Sequence, residues 1–219
     1  MNGIDGLMAG SNERWAEANR RAQGIQDNGL GDALKTYYTR YFPVGLVLSV
    51  AAGTVVGALI FPDAPEKGLT FLAFGIVLGA IAVFIGGLIY NAKKVVPAAQ
   101  MGRIDVLVSL ETAERKRVRR QIAGKAPLDQ EHLPVIRAAA VQLRKNLATL
   151  LLIQPMIPLV FVPQVLNFAR RGDSLFGWLM TIGTAVVVIG LGFLARDFRR
   201  AGRFLVRTRA QAEPENSSP

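Results

Sequence analysis

The chain has 219 residues, of which 51% are hydrophobic, and its mean hydropathy of +0.30 is too high for an ordinary soluble domain of this size. The formal net charge is +10, yet the basic residues are not expected to be interleaved with exposed aromatic ones and no groove-binding motif is present, so we expect no nucleic-acid partner. The chain contains no cysteine, which excludes disulfides, thiolate catalysis and cysteine-ligated metal sites.

The apolar residues are collected in blocks without charge, and the charged residues lie between and around these blocks. A helix of about twenty apolar residues crosses a hydrocarbon layer about 30 Å thick. The sequence therefore predicts an all-α integral membrane protein. Its four transmembrane helices are expected to form two hairpins joined by a basic, helical, cytoplasmic connector.

The N-terminal segment, residues 1–40, is polar and contains five bases and five acids. It has no early apolar run, so we expect no cleavable signal peptide. Ser11 is suited to cap a short helix that ends at Gln23. Trp15 on this helix is expected to rest at the membrane interface, and the alternative is a loosely ordered tail.

The first transmembrane hairpin, residues 41–90, is predicted to consist of the spans Phe42–Phe61 and Leu69–Tyr90, joined by a tight turn at Pro62 and Pro65. Small residues recur on both spans, and small faces let helix backbones approach closely. We predict that these residues pack the two helices together; the alternative is a dimer seam or a lipid-recognition groove. The small residues are Gly45, Ser49, Gly53 and Gly57 on the first span and Gly75 and Gly79 on the second.

The basic connector, residues 91–146, carries twelve Lys and Arg residues against five Asp and Glu residues. One helix is expected from Met101 to Ile122 and another from Pro134 onward. Because the soluble segments are short, we expect them to lie on the membrane or on a partner rather than to form a substantial core. The connector contains one basic run, which has two interpretations. It contacts anionic lipid or an acidic partner, or it is a solvated face that fixes the topology. The residues of this run are Arg115, Lys116, Arg117, Arg119 and Arg120.

The second transmembrane hairpin, residues 147–195, begins with the least regular span, Leu147–Phe168. Each proline in this span frees the backbone carbonyl four residues earlier, and that carbonyl needs a partner in lipid. The sequence predicts either a kinked helix whose carbonyls are met by Ser49, Thr181 or Thr184, or a polar intramembrane site. The residues of that candidate site are Gln154, Pro155, Pro158 and Gln164.

The C-terminal tail, residues 196–219, follows the fourth predicted span, Leu175–Leu194, and contains six arginines. Apolar residues lie among them, so we predict a basic helix along the inner membrane surface and a disordered end from Gln211. With four spans, 23 of the 26 Lys and Arg residues fall on one side of the membrane. The positive-inside rule then predicts a multi-pass protein of the cytoplasmic (inner) membrane with both termini in the cytoplasm.

The sequence contains little that predicts chemistry. No charged residue or histidine lies inside a predicted span, although proton and cation pathways usually depend on such residues. His132 is expected to be a lone solvated imidazole, and we predict no catalytic, cofactor-binding or metal-binding residue. We therefore expect a non-enzymatic accessory or scaffold protein that contacts membrane lipid, anionic in kind, and a membrane protein partner or a second copy of itself. The alternatives are a small oligomeric transporter or channel that uses the broken third span, and an enzyme acting on lipid.

Overall fold

The computed structural model of the protein describes residues 2–63, 67–100, 104–172 and 174–212. The chain is 84% helical and has no strand within these residues, which confirms the all-α prediction. Three parts of the sequence predictions fall outside the described residues: the helix start at Met101, the turn residue Pro65 and the tail beyond Ala212.

Long α-helices make up most of the chain, and short turns of other helical types link them. Tyr37–Tyr41 and Asn91–Val95 are π-helical turns, and Val106–Ser109 is a 3-10 turn. The α-helices are α1 (Asn2–Ala22), α2 (Leu30–Thr36), α3 (Phe42–Ile60), α4 (Lys67–Tyr90), α5 (Val96–Ala98), α6 (Thr112–Ile122), α7 (Leu133–Ile153), α8 (Met156–Arg170) and α9 (Ser174–Ala212).

Within the described residues, four helical stretches are long and apolar enough to cross a membrane. Large apolar side chains are exposed along them, among them Leu59 at 76%, Trp178 at 67% and Val186 at 62%. Such surfaces are unfavourable in water and compatible with lipid. These findings confirm the prediction of a multi-pass membrane protein. The stretches are Leu30–Ile60, Lys67–Ala98, Leu133–Arg170 and Leu175–Arg209.

The described residues divide into two compact units. The apolar unit contains α2 from Gly31, α3, α4, α8, the end of α7 and the first part of α9. The basic unit contains α1, α5, α6, most of α7 and the last part of α9. In residue numbers, the apolar unit comprises 31–63, 67–95, 147–172 and 174–196, and the basic unit comprises 2–30, 96–100, 104–146 and 197–212.

The basic unit has its own apolar core, so the expectation that the soluble segments cannot form one is wrong. The N-terminal segment, the connector and the tail are each short, but all three contribute buried side chains to one unit. Together they bury enough apolar surface for a small core. Its largest buried residues include Leu30, Val106, Leu110, Val118, Val135, Ile136, Phe198 and Leu205.

The tail is not a separate helix along the membrane surface, as the sequence suggested, but the continuation of α9. Phe198, Ala201 and Leu205 are 9% exposed or less and follow one another at intervals of three and four residues. This spacing places them on one face of the helix. These three residues are therefore part of the core of the basic unit, whereas Val206 is 74% exposed.

The connector helix α6 begins at Thr112, later than the sequence indicated. Before it, the Asp105 carboxylate accepts a hydrogen bond of 2.9 Å from the Leu107 N–H and starts the 3-10 turn. Glu114 then accepts a 2.8 Å hydrogen bond from the Glu111 N–H, a contact that favours a new helix start. Residues 104–111, which the sequence placed within one long helix, contain only the 3-10 turn.

Candidate functional site

Helix α6 presents a basic face on the surface of the basic unit. Val118 and Ile122 are buried, whereas Lys116, Arg119 and Arg120 are exposed. At about 100° per residue, Lys116 and Arg120 lie on the side of the helix opposite the buried two, and Arg119 lies at the edge of that side, next to Ile122. We call Lys116, Arg119 and Arg120 the α6 basic face.

The other two cations of the predicted basic run have contacts within the protein. The Arg115 guanidinium donates hydrogen bonds to the carbonyl oxygens of Leu110 at 2.7 Å and Val108 at 2.8 Å, so it holds the turn before α6. Arg117 is exposed, and its guanidinium lies 3.8 Å from the Asp129 carboxylate. The five cations are close together in the sequence. Arg115, however, lies on a different side of the helix from the α6 basic face.

A second row of exposed cations lies on α9. Arg199, Arg203 and Arg207 are exposed and recur every four residues, on the side of the helix opposite the buried Phe198 and Leu205. The sequence predicts these arginines on a helix along the membrane surface. The position of these arginines relative to the apolar residues of α9 would have predicted this exposed row from the sequence.

A cleft of about 450 Å³ opens beside the α6 basic face. Its inner wall includes the buried side chains of Leu107, Ile122 and Ala139, and Arg119 and Lys145 are among its polar lining residues. The Asp105 carboxylate also lines it, so the charged lining has two cations and one anion. A site of this size, with an apolar wall and a positive balance, suits an anion that has an apolar part.

Gln142 fixes the backbone at one edge of this cleft. Its side-chain amide donates a 3.1 Å hydrogen bond to the Ile104 carbonyl and accepts one of 3.0 Å from the Val106 N–H. Gln142 is only 8% exposed, and buried amides are usually satisfied in this way. Sequence reasoning missed the cleft because its walls come from residues 96, 104–107, 119–122 and 139–146, which are apart in the chain.

Helix α1 is attached to α6 by polar contacts. Glu114 accepts hydrogen bonds from Ser11 at 3.1 Å and from Arg14 at 3.3 Å, and Arg14 also lies 3.1 Å from Glu111. Burial opposes ionisation of the Glu114 carboxyl, but the hydrogen bonds from Arg14, the Glu111 N–H and Ser11 outweigh it and lower the pKa of Glu114. Glu114 is therefore ionised and bound to α1 at neutral pH.

Trp15 and His132 pack on each other within the basic unit. Their ring centroids are 3.9 Å apart, so Trp15 has a packing partner within the protein and His132 is not a lone solvated imidazole. The His132 Nδ1 lies 3.3 Å from Asp129, and ligand atoms of Asp129, Glu131 and His132 fall within 4.8 Å of one another. Because the Arg117 guanidinium lies beside Asp129 and disfavours a bound cation, we assign no metal to this group.

The third span is interrupted at Gln154 and Pro155. Helix α7 ends at Ile153, and α8 begins at Met156. Pro155 therefore interrupts the helix, whereas Pro158 and Pro163 lie within α8 and do not. The sequence alone does not decide between a bend and a break, because a proline removes an N–H donor but does not determine how the neighbouring residues pair.

The carbonyls at the break find partners other than those expected. The Leu151 carbonyl accepts a hydrogen bond from the Tyr38 hydroxyl, and the Gln154 carbonyl accepts one of 2.9 Å from the Ile157 N–H. Thr181 and Thr184 instead donate to carbonyls of their own helix, at 2.8 and 2.7 Å. The freed backbone groups that these bonds satisfy are thus not available to a ligand.

The four residues of the candidate intramembrane site are not brought together in the cavity that Gln164 lines. Pro158 lies in α8, and Gln154 and Pro155 form the break before it. Gln164 is exposed further along α8 and lines a cavity of about 370 Å³ together with Asn167. The lining of that cavity, as far as the chain is described, does not include Gln154, Pro155 or Pro158.

The small residues predicted to pack the first hairpin form two groups, one in close contact and one open. A Cβ atom on Gly75 would lie 2.5 Å from the Val50 carbonyl oxygen, and one on Gly53 would lie 2.9 Å from the Gly75 Cα. Gly57 and Gly79 are similarly close to Phe74 and Val50, at 3.2 and 2.7 Å. A Cβ on Gly45 would meet no atom within 4 Å, and Ser49 and Gly45 both line a groove.

Comparison of the chain with family models, with curated proteins and with solved structures finds no match in any of the three. The function must therefore be argued from the geometry. The α6 basic face with its neighbouring cleft and the helix break at Gln154 are the two features on which it depends.

Proposed function

We propose that this chain is a multi-pass protein of the cytoplasmic (inner) membrane with both termini and the basic unit in the cytoplasm. The asymmetry of charge supports this orientation. Each hairpin has one turn between its two spans, and the two turns together contain only three of the 26 Lys and Arg residues. Anionic phospholipids of the cytoplasmic leaflet would then lie on the side that carries most of the positive charge.

We further propose that the protein is a non-enzymatic accessory or scaffold whose basic unit binds anionic phospholipid and an acidic partner. The observation that carries this proposal is the α6 basic face. Its three side chains are exposed and form no ion pair with any residue in the described part of the chain. Like charges three and four residues apart destabilise a helix slightly, and a bound anion removes that cost.

The test is to extract the protein in a lipid-retaining polymer and to identify the lipids and proteins that accompany it. The wild type should carry an excess of anionic over zwitterionic lipid relative to the bulk membrane. Lys116→Gln/Arg119→Gln/Arg120→Gln should lose that excess and any stoichiometric partner, because it removes the binding charges. A control that removes exposed cations elsewhere, Lys67→Gln/Arg171→Gln, should retain both. Equal recovery from the triple variant would refute the proposal.

A second candidate function, a small oligomeric transporter or channel, is favoured by the break at Gln154 and Pro155. Discontinuous helices line substrate sites in some transporters, and the Gln154 side chain is only partly exposed. If this function holds, Gln154→Leu should abolish solute flux in proteoliposomes while the protein stays folded. A wild-type protein that moves no solute across a broad panel would count against it.

A further inference from the structure

A groove of about 350 Å³ lies between α3 and α4, near the end of α4 where the chain passes into the π-helical turn Asn91–Val95. Its lining includes the apolar side chains of Phe42, Leu46, Val83 and Ile89. Lys93 and Lys94 are the only charged residues of this lining in the described part of the chain, and both are exposed. The groove thus combines an apolar channel with a cationic mouth.

The groove exists because the close packing of α3 and α4 does not extend along their whole length. The helices touch at Gly53 and Gly75, where a Cβ on either glycine would meet atoms of the other helix at 3 Å or less. A Cβ on Gly45 or Gly86 would meet no atom within 4 Å, and both glycines line the groove. The absence of side chains at these two positions leaves the channel open.

Three tyrosines surround the groove near its lysines. The ring of Tyr90 lies 5.1 Å from that of Tyr37 and 5.3 Å from that of Tyr41, centroid to centroid. The Tyr90 hydroxyl donates a 2.7 Å hydrogen bond to the Ala33 carbonyl, which holds the ring in place. Tyrosines of this kind are typical of the level at which lipid headgroups lie.

We propose that this groove binds an anionic phospholipid, with one acyl chain along the open faces of Gly45 and Gly86 and the phosphate at Lys93 and Lys94. The groove lies on helices that are long enough to span a membrane, so its apolar channel is exposed to lipid. The lysine pair complements a phosphate. A second copy docked through the same face would bring its own lysines against this pair, and like charges oppose that contact.

This proposal does not depend on the function proposed for the α6 basic face. The residues of the groove belong to the apolar unit, and those of the α6 basic face belong to the basic unit. Loss of lipid from one set of variants and not from the other therefore distinguishes the two proposals.

The experiment is native mass spectrometry of the full-length protein released from nanodiscs of equal parts phosphatidylglycerol and phosphatidylcholine. In the groove, the wild type should retain one phosphatidylglycerol in preference to phosphatidylcholine, in addition to any lipid that the Lys116→Gln/Arg119→Gln/Arg120→Gln variant loses from the α6 basic face. Gly86→Leu should lose it, because a leucine side chain fills the channel. Lys93→Gln/Lys94→Gln should weaken retention by about thirtyfold, the effect of removing two headgroup contacts, each worth about fivefold.

The control is Gly192→Leu, which adds the same side chain to α9 at a position where a Cβ meets no atom within 4 Å. This variant should retain phosphatidylglycerol as the wild type does. If Gly86→Leu fails to fold, the exposed lysine variant decides the question alone. Unchanged retention in the lysine variant, equal retention of both lipids by the wild type, or a wild-type dimer that Gly86→Leu dissociates would each overturn the proposal.

Discussion

The Leu152 carbonyl oxygen lies directly against Gly87, so close that a Cβ atom on Gly87 would be 2.6 Å from it. The contact brings the end of α7, next to the helix break, onto α4 within the apolar unit. Both partners at this point are backbone atoms, which cannot move aside as a flexible side chain can.

Gly87→Ala should therefore destabilise the protein by about 2 kcal/mol or more, because the new methyl group forces α4 and α7 apart. The matched control is the neighbouring substitution Gly86→Ala, which meets no atom within 4 Å. That control should be neutral or slightly stabilising, since alanine favours a helix by about 1 kcal/mol over glycine. Thermal unfolding of both variants in the same detergent measures the difference. Equal midpoints would show that α7 does not approach α4 this closely.

Tyr38→Phe should destabilise the protein by about 1–3 kcal/mol, since it leaves the Leu151 carbonyl without its donor in an apolar setting. Tyr41→Phe is the control, because the Tyr41 side chain is 57% exposed and its hydroxyl has no hydrogen bond among the described residues. Unfolding midpoints of the two variants give the comparison. If both substitutions had the same small effect, the Tyr38 hydroxyl would not satisfy the proline-freed carbonyl.

The four apolar spans and the all-α fold could be predicted because hydropathy is a local property that each block of sequence carries by itself. The contacts at the third span could not. The prolines identify the carbonyls of Leu151 and Gln154 as freed, yet the donors turned out to be Tyr38, more than a hundred residues earlier, and a backbone N–H inside the same turn. Sequence alone predicts which group needs a partner and does not select the partner.

The core of the basic unit was missed for a related reason. The Arg144 guanidinium forms an ion pair with Asp27 and lies 4.6 Å from the centre of the Phe198 ring. These three residues come from the connector, the N-terminal segment and the tail. Each segment is too short to form a core by itself, so an analysis segment by segment predicts none. The exposed cations of α6 could be predicted as a run, whereas the inward role of Arg115 depends on contacts with Val108 and Leu110.

Arg144→Met should destabilise the basic unit by about 3–5 kcal/mol, because it leaves the Asp27 carboxylate largely buried without its partner. The double variant Asp27→Asn/Arg144→Met should recover part of that loss, since it removes the uncompensated charge as well. Hydrogen exchange at α1 and at the last part of α9 reports on the basic unit in each variant. A double variant no more stable than the single one would indicate that the ion pair is not what joins the segments.

The attachment of α1 to α6 should weaken in acid. The pKa of Glu114 is lowered in the folded protein, so its contribution to stability is fully present above the unfolded value of about 4.3. That contribution is lost as the pH falls through the lower, folded value. In a Trp178→Phe background, Trp15 emission should shift to longer wavelength on acidification through this range as α1 separates. Glu114→Gln should show the shifted emission already at neutral pH, and an emission unaffected by this substitution would contradict the assignment.

The most direct test of the whole account is the side of the membrane on which the basic unit lies. The chain contains no cysteine, so single cysteines can be introduced at exposed positions: Gln130→Cys in the basic unit, and Asp63→Cys and Arg171→Cys at the ends of the two hairpins. We predict that a membrane-impermeant maleimide added to intact cells labels the cysteines at 63 and 171, and labels the one at 130 only after permeabilisation. Labelling of the cysteine at 130 in intact cells, with protection at 63 and 171, would contradict the cytoplasmic location of the basic unit and its proposed function there.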